Sequence, residues 1–312
     1  MNVLFIDEVG RELPDLFQAK GWNCDFRYSD SRETLKNDLH LYDGIIIRSR
    51  FRLDADFLSA TDHLKFIGRP GAGLENIDLS YCEANDIAVF RSPEGNRDAV
   101  AEHIIGGILT LFNNIRRADV EVRKGLWKRE PNRGIELMGK TVGIIGFGYM
   151  GAAFAKRLQG FGVNIIVYDK YKTDYAPEYV KEVELSEIFE YADVVSLHIP
   201  QTDETVGMVN SAWFSKFRKP IYLINSARGT SVVLEDLLEA LKKEKVLGAV
   251  LDVLEYESSA FENTGFDSPT FKELSQLENI VFTPHIAGWT HEANTKMSVF
   301  LGEKIIGFVG DE

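Results

Sequence analysis

The run Gly146-Phe-Gly148-Tyr-Met-Gly151 restricts this chain more than any other feature, because it follows an apolar stretch, Thr141–Ile145, and opens a helical pattern that continues to Gln159. Glycines at these intervals after a strand demand a tight turn followed directly by a helix packed on that strand. Gly146 permits the turn, Gly148 lets the backbone approach a pyrophosphate, and Gly151 lets helix and strand touch. The helix N-terminus then stabilises the anion. Tyr149 and Met150 lie inside the run and are counted with it as cofactor-binding positions. Asp169 ends the next apolar run, 18 residues beyond Gly151. A carboxylate there can accept hydrogen bonds from ribose hydroxyls and would repel a 2′-phosphate. These residues predict NAD, not NADP, as the cofactor.

Around this motif, short apolar runs alternate with helical patterns. Strands are expected at 141–145, 164–168, 193–197, 221–225, 247–252 and 280–283, and helices at 151–159, 185–191 and 234–243. Upstream, strands at 1–6, 43–50, 64–67 and 87–90 alternate with helical patterns at 11–20, 30–39, 54–59 and 78–85. Two βαβ regions in 312 residues predict two α/β domains, each a parallel sheet flanked by helices in the Rossmann-like or flavodoxin-like manner, with a cleft between them. Helical spacing over residues 98–118 predicts one long helix able to bridge them. A last amphipathic helix, about 290–309, leads away from the second sheet. Residues 1–97 with 286–312 are therefore expected to form a discontinuous substrate domain, and 98–285 the dinucleotide-binding domain.

Composition narrows the function classes. With 35 basic against 48 acidic residues the net charge is −13, which argues against a sequence-independent grip on nucleic acid. Two cysteines, Cys24 and Cys82, are too few for a disulfide framework and suggest a reducing compartment. The N-terminus lacks the features of a signal peptide, and no apolar stretch approaches the ~20 residues of a membrane helix. A cytoplasmic protein without membrane partners is expected. The histidines and cysteines lack metal-ligand spacing, so no metal site is expected.

Three further segments are informative: Asn225-Ser-Ala-Arg228-Gly229, Asp252-Val-Leu-Glu255-Tyr-Glu257 and Thr283-Pro-His285-Ile-Ala-Gly288-Trp289. With Gly146–Gly151 and His198-Ile-Pro-Gln-Thr-Asp-Glu-Thr205, they resemble the NAD-dependent D-isomer-specific 2-hydroxyacid dehydrogenases, in the same motif order and over essentially the whole chain. The resemblance implies Arg228, Glu257 and His285 as the catalytic set. The chemistry agrees: reducing a 2-keto acid needs a hydride and a proton, and histidine is a natural proton donor near neutral pH. Glu257 would orient His285, and Arg228, always cationic, would hold the substrate carboxylate. The resemblance adds His198, Ile199, Pro200, Thr205, Ser226, Ala227, Asp252 and Gly288 to the cofactor contacts, together with Arg228 and His285. His40, His63, His103 and His291 are read as structural or surface residues.

For the substrate, Gly71-Ala72-Gly73 resembles the family loop whose amides bind a carboxylate. Ile47-Arg48-Ser49-Arg50 and Gly68-Arg69-Pro-Gly-Ala-Gly73 look like segments of D-3-phosphoglycerate dehydrogenases, as does Arg129. Arginines at strand ends can form a phosphate site in an acidic protein. They could instead pair with Asp54, Asp56 or Glu75. The expected reaction is the interconversion of a D-2-hydroxy acid and its 2-keto acid, with 3-phosphoglycerate and 3-phosphohydroxypyruvate of serine biosynthesis as the first pair. Hydroxypyruvate, glyoxylate and D-lactate stay open. Because the chain ends at Glu312, the C-terminal regulatory domain of some phosphoglycerate dehydrogenases, and feedback by serine through it, are not expected. The polar stretch 258–275 is read as a loop over the cleft. The resemblance also implies a homodimer built through the NAD domains. Two competing readings are a formate-type dehydrogenase, disfavoured by the Glu257–His285 proton shuttle, and an NAD(H)-sensing corepressor-like binding protein, disfavoured by the lack of disordered tails or a basic patch.

Overall fold

The computed structural model describes residues 1–257 and 266–310. Two compact units divide the chain, Met1–Arg97 with 289–310, and Asp98–Glu257 with 266–288. The return to the first unit comes after Gly288, three residues beyond the expected border. Asp252 explains the difference, since its carboxylate accepts the N–H groups of Ile286 and Ala287 at 2.8 and 2.9 Å and keeps them with the second unit.

In the first unit, β1 (Asn2–Phe5), β2 (Asn23–Phe26), β3 (Gly44–Ile46), β4 (Phe66–Arg69) and β5 (Ala88–Arg91) form a sheet of order β2-β1-β3-β4-β5. Every neighbouring pair is parallel. Helices α1 (Glu12–Ala19), α2 (Arg32–Asn37), α3 (Ala55–Leu58) and α4 (Leu79–Ala84) make the crossovers. Ser31, Asp54 and Asp78 start three of them, each accepting a backbone N–H three residues on. Apolar residues cover both faces of the sheet: Leu35, Leu39, Phe57 and Leu58 on one, Leu13, Phe17, Leu301 and Ile305 on the other. Burial on both faces explains the apolar centres of β1, β3 and β4. β2 was not foreseen. Its sequence Asn-Cys-Asp-Phe has no apolar run, but an edge strand needs only one ladder, and β1 supplies it.

The helix expected over 98–118 is two helices. α5 (Pro93–Phe112) begins earlier and buries Val100, Ile104, Ile108 and Phe112. It ends where Asn114 turns left-handed, with φ 51°, a conformation Asn tolerates better than most residues. α6 (Ile115–Arg123) follows and buries no residue, so no core contact holds the two in line.

In the second unit, β6 (Thr141–Ile145), β7 (Asn164–Tyr168), β8 (Lys181–Glu182), β9 (Val194–Leu197), β10 (Ile221–Asn225), β11 (Val246–Leu251) and β12 (Ile280–Phe282) pair in the order β12-β11-β10-β9-β6-β7-β8. All pairs are parallel. Helices α7 (Tyr149–Leu158), α8 (Leu185–Tyr191), α9 (Ser211–Phe214), α10 (Leu234–Lys242) and α11 (Pro269–Leu274) flank this sheet. In the stretch expected as a loop, 258–265 lie outside the described residues, while Ser268 caps α11 by accepting the Phe271 N–H. The last helix, α12 (His291–Gly310), belongs to the first unit, where Leu301 and Ile305 enter the core. Among the described residues no helix is long and apolar enough to cross a membrane.

Candidate active site

Strand order in the second unit reverses between β6 and β9, the position where open parallel sheets place ligands. The glycine run leaves β6 there. Gly146 has φ +93°, and a Cβ on it would lie 2.4 Å from the His198 carbonyl oxygen. A Cβ on Gly151 would lie 2.2 Å from the Gly146 oxygen. Both positions exclude any side chain, because turn and helix press on one another. Gly148 differs: nothing lies within 4 Å of where its Cβ would be, which leaves open space in front of the first amides of α7. That space suits a pyrophosphate approaching backbone, so the loop fits the dinucleotide. Asp169 accepts the Phe147 N–H at 2.7 Å and the Tyr171 N–H at 3.0 Å, and Lys172 donates to the Phe147 carbonyl at 2.7 Å. Asp169 thus holds the turn, and each of its oxygens keeps acceptor capacity for a ribose hydroxyl. Met150 packs on the core, whereas Tyr149 is exposed.

The residues after β9 and β10 are more varied. The His198 imidazole turns inward against Phe154 and bonds Ser196 Oγ at 2.9 Å. Burial pushes its pKa down to about 3. The His198 backbone is the part that meets the glycine turn, its carbonyl lying beside Gly146. Ile199 packs on the core, and Thr205 donates to the Pro200 carbonyl at 2.7 Å, tying the turn between them. At the end of β10, buried Asn225 accepts the Ala227 N–H at 3.1 Å and donates to the Arg228 carbonyl at 2.9 Å. Ser226 Oγ is buried with no partner among the described residues, and Arg228 donates to the Ala227 carbonyl at 2.7 Å. Among the described glycines Gly229 carries the tightest approach, since a Cβ there would sit 1.8 Å from the Leu254 carbonyl oxygen. The loops after β10 and β11 are therefore in contact.

Arg228, Glu257 and His285 follow β10, β11 and β12, three adjacent parallel strands, at their C-terminal ends. His285 Nδ1 lies 2.7 Å from Glu257 Oε2, and Glu257 Oε1 accepts the Leu254 N–H at 2.5 Å. The carboxylate thereby orients the imidazole through Nδ1. His285 has φ 54°, a left-handed conformation that costs a non-glycine residue about 1–2 kcal/mol. Its N–H donates to the Asp252 carbonyl at 2.7 Å. The Asp252 side chain, 2% exposed, accepts from the Thr283 hydroxyl at 2.6 Å and from Ile286 and Ala287. Asp252, expected as a cofactor contact, is seen to organise the His285 loop, and Gly288 ends that loop. Thr283, Asn225 and Gly229 were not singled out, although all three stand inside the segments quoted for the family. Among the described residues no group of three or more metal-ligating side chains is placed to hold a metal ion.

In the first unit, strand order reverses between β1 and β3, and a hollow of about 450 Å³ opens there. Asp7, Glu8, Tyr28, Arg48, Ser49 and Trp289 line it. Asp7 Oδ2 accepts the N–H groups of Arg48, Ser49 and Arg50 at 2.6, 3.0 and 3.3 Å. The Arg48 guanidinium lies 4.0 Å over the Trp289 ring, and burial lowers its pKa, with Asp7 opposing. Burial, with Glu8 and Cys24 adding, raises the Tyr28 phenol, which keeps it a neutral donor. The Arg50 guanidinium donates to the carbonyls of Ile6, Arg27 and Asp30, so part of its donor set is taken by backbone. Arg69 Nε spans the Arg48 carbonyl and Asn76 Oδ1 at 2.9 and 3.1 Å. The carboxylates of Asp54 and Asp56 pair with Arg32, not with these arginines. The N–H groups of Ala72 and Gly73 meet no described acceptor, while Arg91 holds the Ala72 carbonyl at 2.9 Å.

Comparison with known proteins agrees with this geometry. Residues 105–287 match the model of the D-isomer-specific 2-hydroxyacid dehydrogenase NAD-binding domain. D-3-phosphoglycerate dehydrogenase of Archaeoglobus fulgidus is 35% identical over 308 residues, 98% of this chain and 57% of that protein. The chain thus spans little more than half the length of that relative. Hydroxypyruvate reductase of Thermotoga maritima is 37% identical, over 86% of this chain and 85% of that protein. Among solved structures, D-lactate dehydrogenase of Aquifex aeolicus with NAD and lactic acid has a TM-score of 0.86 and 28% identity, covering 100% of this chain and 96% of that one. The glycine turn, the His285–Glu257 pair and the domain match agree, and the chain belongs to the D-isomer-specific 2-hydroxyacid dehydrogenase family.

Proposed function

We propose that this protein interconverts a D-2-hydroxy acid and its 2-keto acid with NAD. The observation that carries this reading is the 2.7 Å contact between His285 Nδ1 and Glu257 at adjacent strand ends, beyond the glycine turn of the same sheet. Bound NAD supplies the hydride acceptor, and NADH the donor. In reduction, His285 Nε2 gives its proton to the carbonyl oxygen; in oxidation, neutral His285 takes the hydroxyl proton. Glu257 holds the ring through Nδ1 and stabilises its positive charge. Arg228 holds the substrate carboxylate and polarises the carbonyl without changing protonation state.

The first substrate pair is 3-phosphoglycerate and 3-phosphohydroxypyruvate. Support comes from Arg48 in the first unit's hollow, the amides of Ala72 and Gly73, and the Archaeoglobus relative. A second reading, hydroxypyruvate or glyoxylate, is favoured by the capture of Arg50 by backbone and by Glu8 in the same hollow. A homodimer through the second unit is supported by exposed apolar side chains on and after α6, with Trp127 80% and Met138 69% exposed. A reducing, cytoplasmic setting is supported by the unpaired thiols Cys24 and Cys82.

The deciding experiment compares kcat/KM for phosphohydroxypyruvate and hydroxypyruvate with NADH. A 100-fold preference for the phosphorylated acid, about 2.7 kcal/mol, supports the first pair and its place in serine synthesis. Equal rates or the reverse preference support the second reading. Turnover of none of these two acids, glyoxylate and pyruvate, with tight NADH binding, would overturn the enzymatic reading.

A further inference from the structure

His103 stands on α5, and its Nε2 lies 3.0 Å from Thr283 Oγ1. A threonine hydroxyl has one proton, and here it is directed to Asp252 Oδ1 at 2.6 Å, an acceptor-only carboxylate. The hydrogen bond from His103 must then be donated, which assigns the proton to Nε2. The chain of donors runs from His103 N–H to Thr283 O–H to the Asp252 carboxylate. His103 Nε2 is itself 3.7 Å from Asp252 Oδ1, too long for a direct bond.

Asp252 is the hub of the loop that carries His285. Its carbonyl accepts the His285 N–H, Oδ1 accepts Ile286 N–H and Oδ2 accepts Ala287 N–H. These bonds hold residue 285 at φ 54°, against the cost of that conformation, and so set its imidazole 2.7 Å from Glu257. A buried carboxylate keeps its direction only while its acceptor sites are filled. Thr283 fills one, and His103 fixes the Thr283 rotor from the opposite side. Neither residue touches the proton that His285 moves.

We propose that His103 and Thr283 are positioning residues for proton transfer by His285, acting through Asp252 on the 283–287 loop. The proposal rests on the proposed function only for its kinetic arm. Four variants separate the roles: Thr283→Val removes the hydroxyl at constant shape and Thr283→Ser keeps it. His103→Leu removes the donor and His103→Gln keeps an N–H near the Nε2 position. Two readouts are taken on the full chain. One is kcat and KM with NADH and each of the two keto acids. The other, made without substrate, is the solvent-exchange rate of the His285 Nδ1 proton by NMR.

Thr283→Val and His103→Leu are expected to lower kcat roughly 10- to 100-fold while KM for NADH stays within about threefold, as for a reacting group displaced by a fraction of an ångström to an ångström. Exchange of the Nδ1 proton is expected to become roughly tenfold faster in both, because a wandering loop lengthens the bond to Glu257. Thr283→Ser and His103→Gln are expected to stay within about threefold of the parent in both readouts. Unchanged exchange in Thr283→Val and His103→Leu, or equal losses in the Val and Ser variants, would overturn the proposal in favour of simple packing. If Thr283→Val does not fold, the His103 pair decides the question from α5. If the parent reduces neither these acids nor glyoxylate and pyruvate, the proposed function fails, and the exchange arm still decides the positioning role.

Discussion

Both sheets reverse strand order once, and at both reversals a strand-end carboxylate holds the loop that follows a neighbouring strand. In the first unit Asp7 gathers the N–H groups of Arg48, Ser49 and Arg50; in the second, Asp169 holds Phe147 in the glycine turn. Asp252 repeats the device farther along the second sheet, on the loop that carries His285. The mechanics are shared and the outcomes differ. The second unit's held loops present open backbone in front of α7 and an imidazole held against Glu257 through Nδ1. In the first, one of the two held arginines is spent on three backbone carbonyls, and the other is covered by Trp289. A cation at a strand end therefore says little about ligand binding until its neighbours are counted, whereas a backbone motif does not depend on side-chain competition.

The comparison can be broken at four points. His285→Ala has the largest expected effect, a loss in kcat of roughly 10²–10⁴-fold with NADH binding retained. Near-parental turnover would remove His285 from the chemistry and leave the two units alike as scaffolds. Next come the clamps. Asp252→Asn puts an amide donor against loop N–H groups in a fully buried site and is expected to cost about 2–4 kcal/mol in urea unfolding. Asp7→Asn, half-buried and accepting through one oxygen, is expected to cost about 1–2 kcal/mol. Equal losses would show that burial does not distinguish the clamps.

The arginines give the third test. Arg50→Met is expected to lower stability by about 1–3 kcal/mol with little effect on kcat/KM. Arg48→Met is expected to lower kcat/KM for the phosphorylated acid roughly 10- to 100-fold with little effect on stability. An exchange of these outcomes would reverse the assignment of structural and binding roles. The last test concerns His198, whose imidazole is held neutral inside the second unit down to about pH 3. Below its unfolded value of 6.5 the unfolded chain takes up a proton that the folded chain refuses. Stability therefore falls as pH drops through that window, by at most about 1.4 kcal/mol per pH unit from this group. His198→Asn is expected to flatten the slope between pH 6 and 4, and an unchanged slope would assign it to other groups.

Much of this was legible in the sequence. The glycine turn depends on local backbone geometry, and its spacing carries that geometry directly. Arg228, Glu257 and His285 were traceable through the family resemblance of their segments, and the parallel sheet brings the three strand ends that carry them to one edge. β2 was not legible, since its pairing comes from β1 and not from its own residues. The break at Asn114 was hidden by helical spacing that continues in residue type although α6 buries nothing. The acceptors of Arg50, the carbonyls of Ile6, Arg27 and Asp30, were hidden because they lie 44, 23 and 20 residues away. Thr283 and His103 are 180 residues apart and become partners only in the folded sheet.

By itself, the sequence determined the class of fold, the cofactor turn and the residue types that could move a proton, because strand periodicity and short glycine spacings are local properties. Only the tertiary structure decided which polar groups are consumed in holding the chain and which keep an atom for chemistry. That division depends on long-range hydrogen-bond partners, and a buried donor or acceptor takes whichever partner the fold brings within about 3 Å.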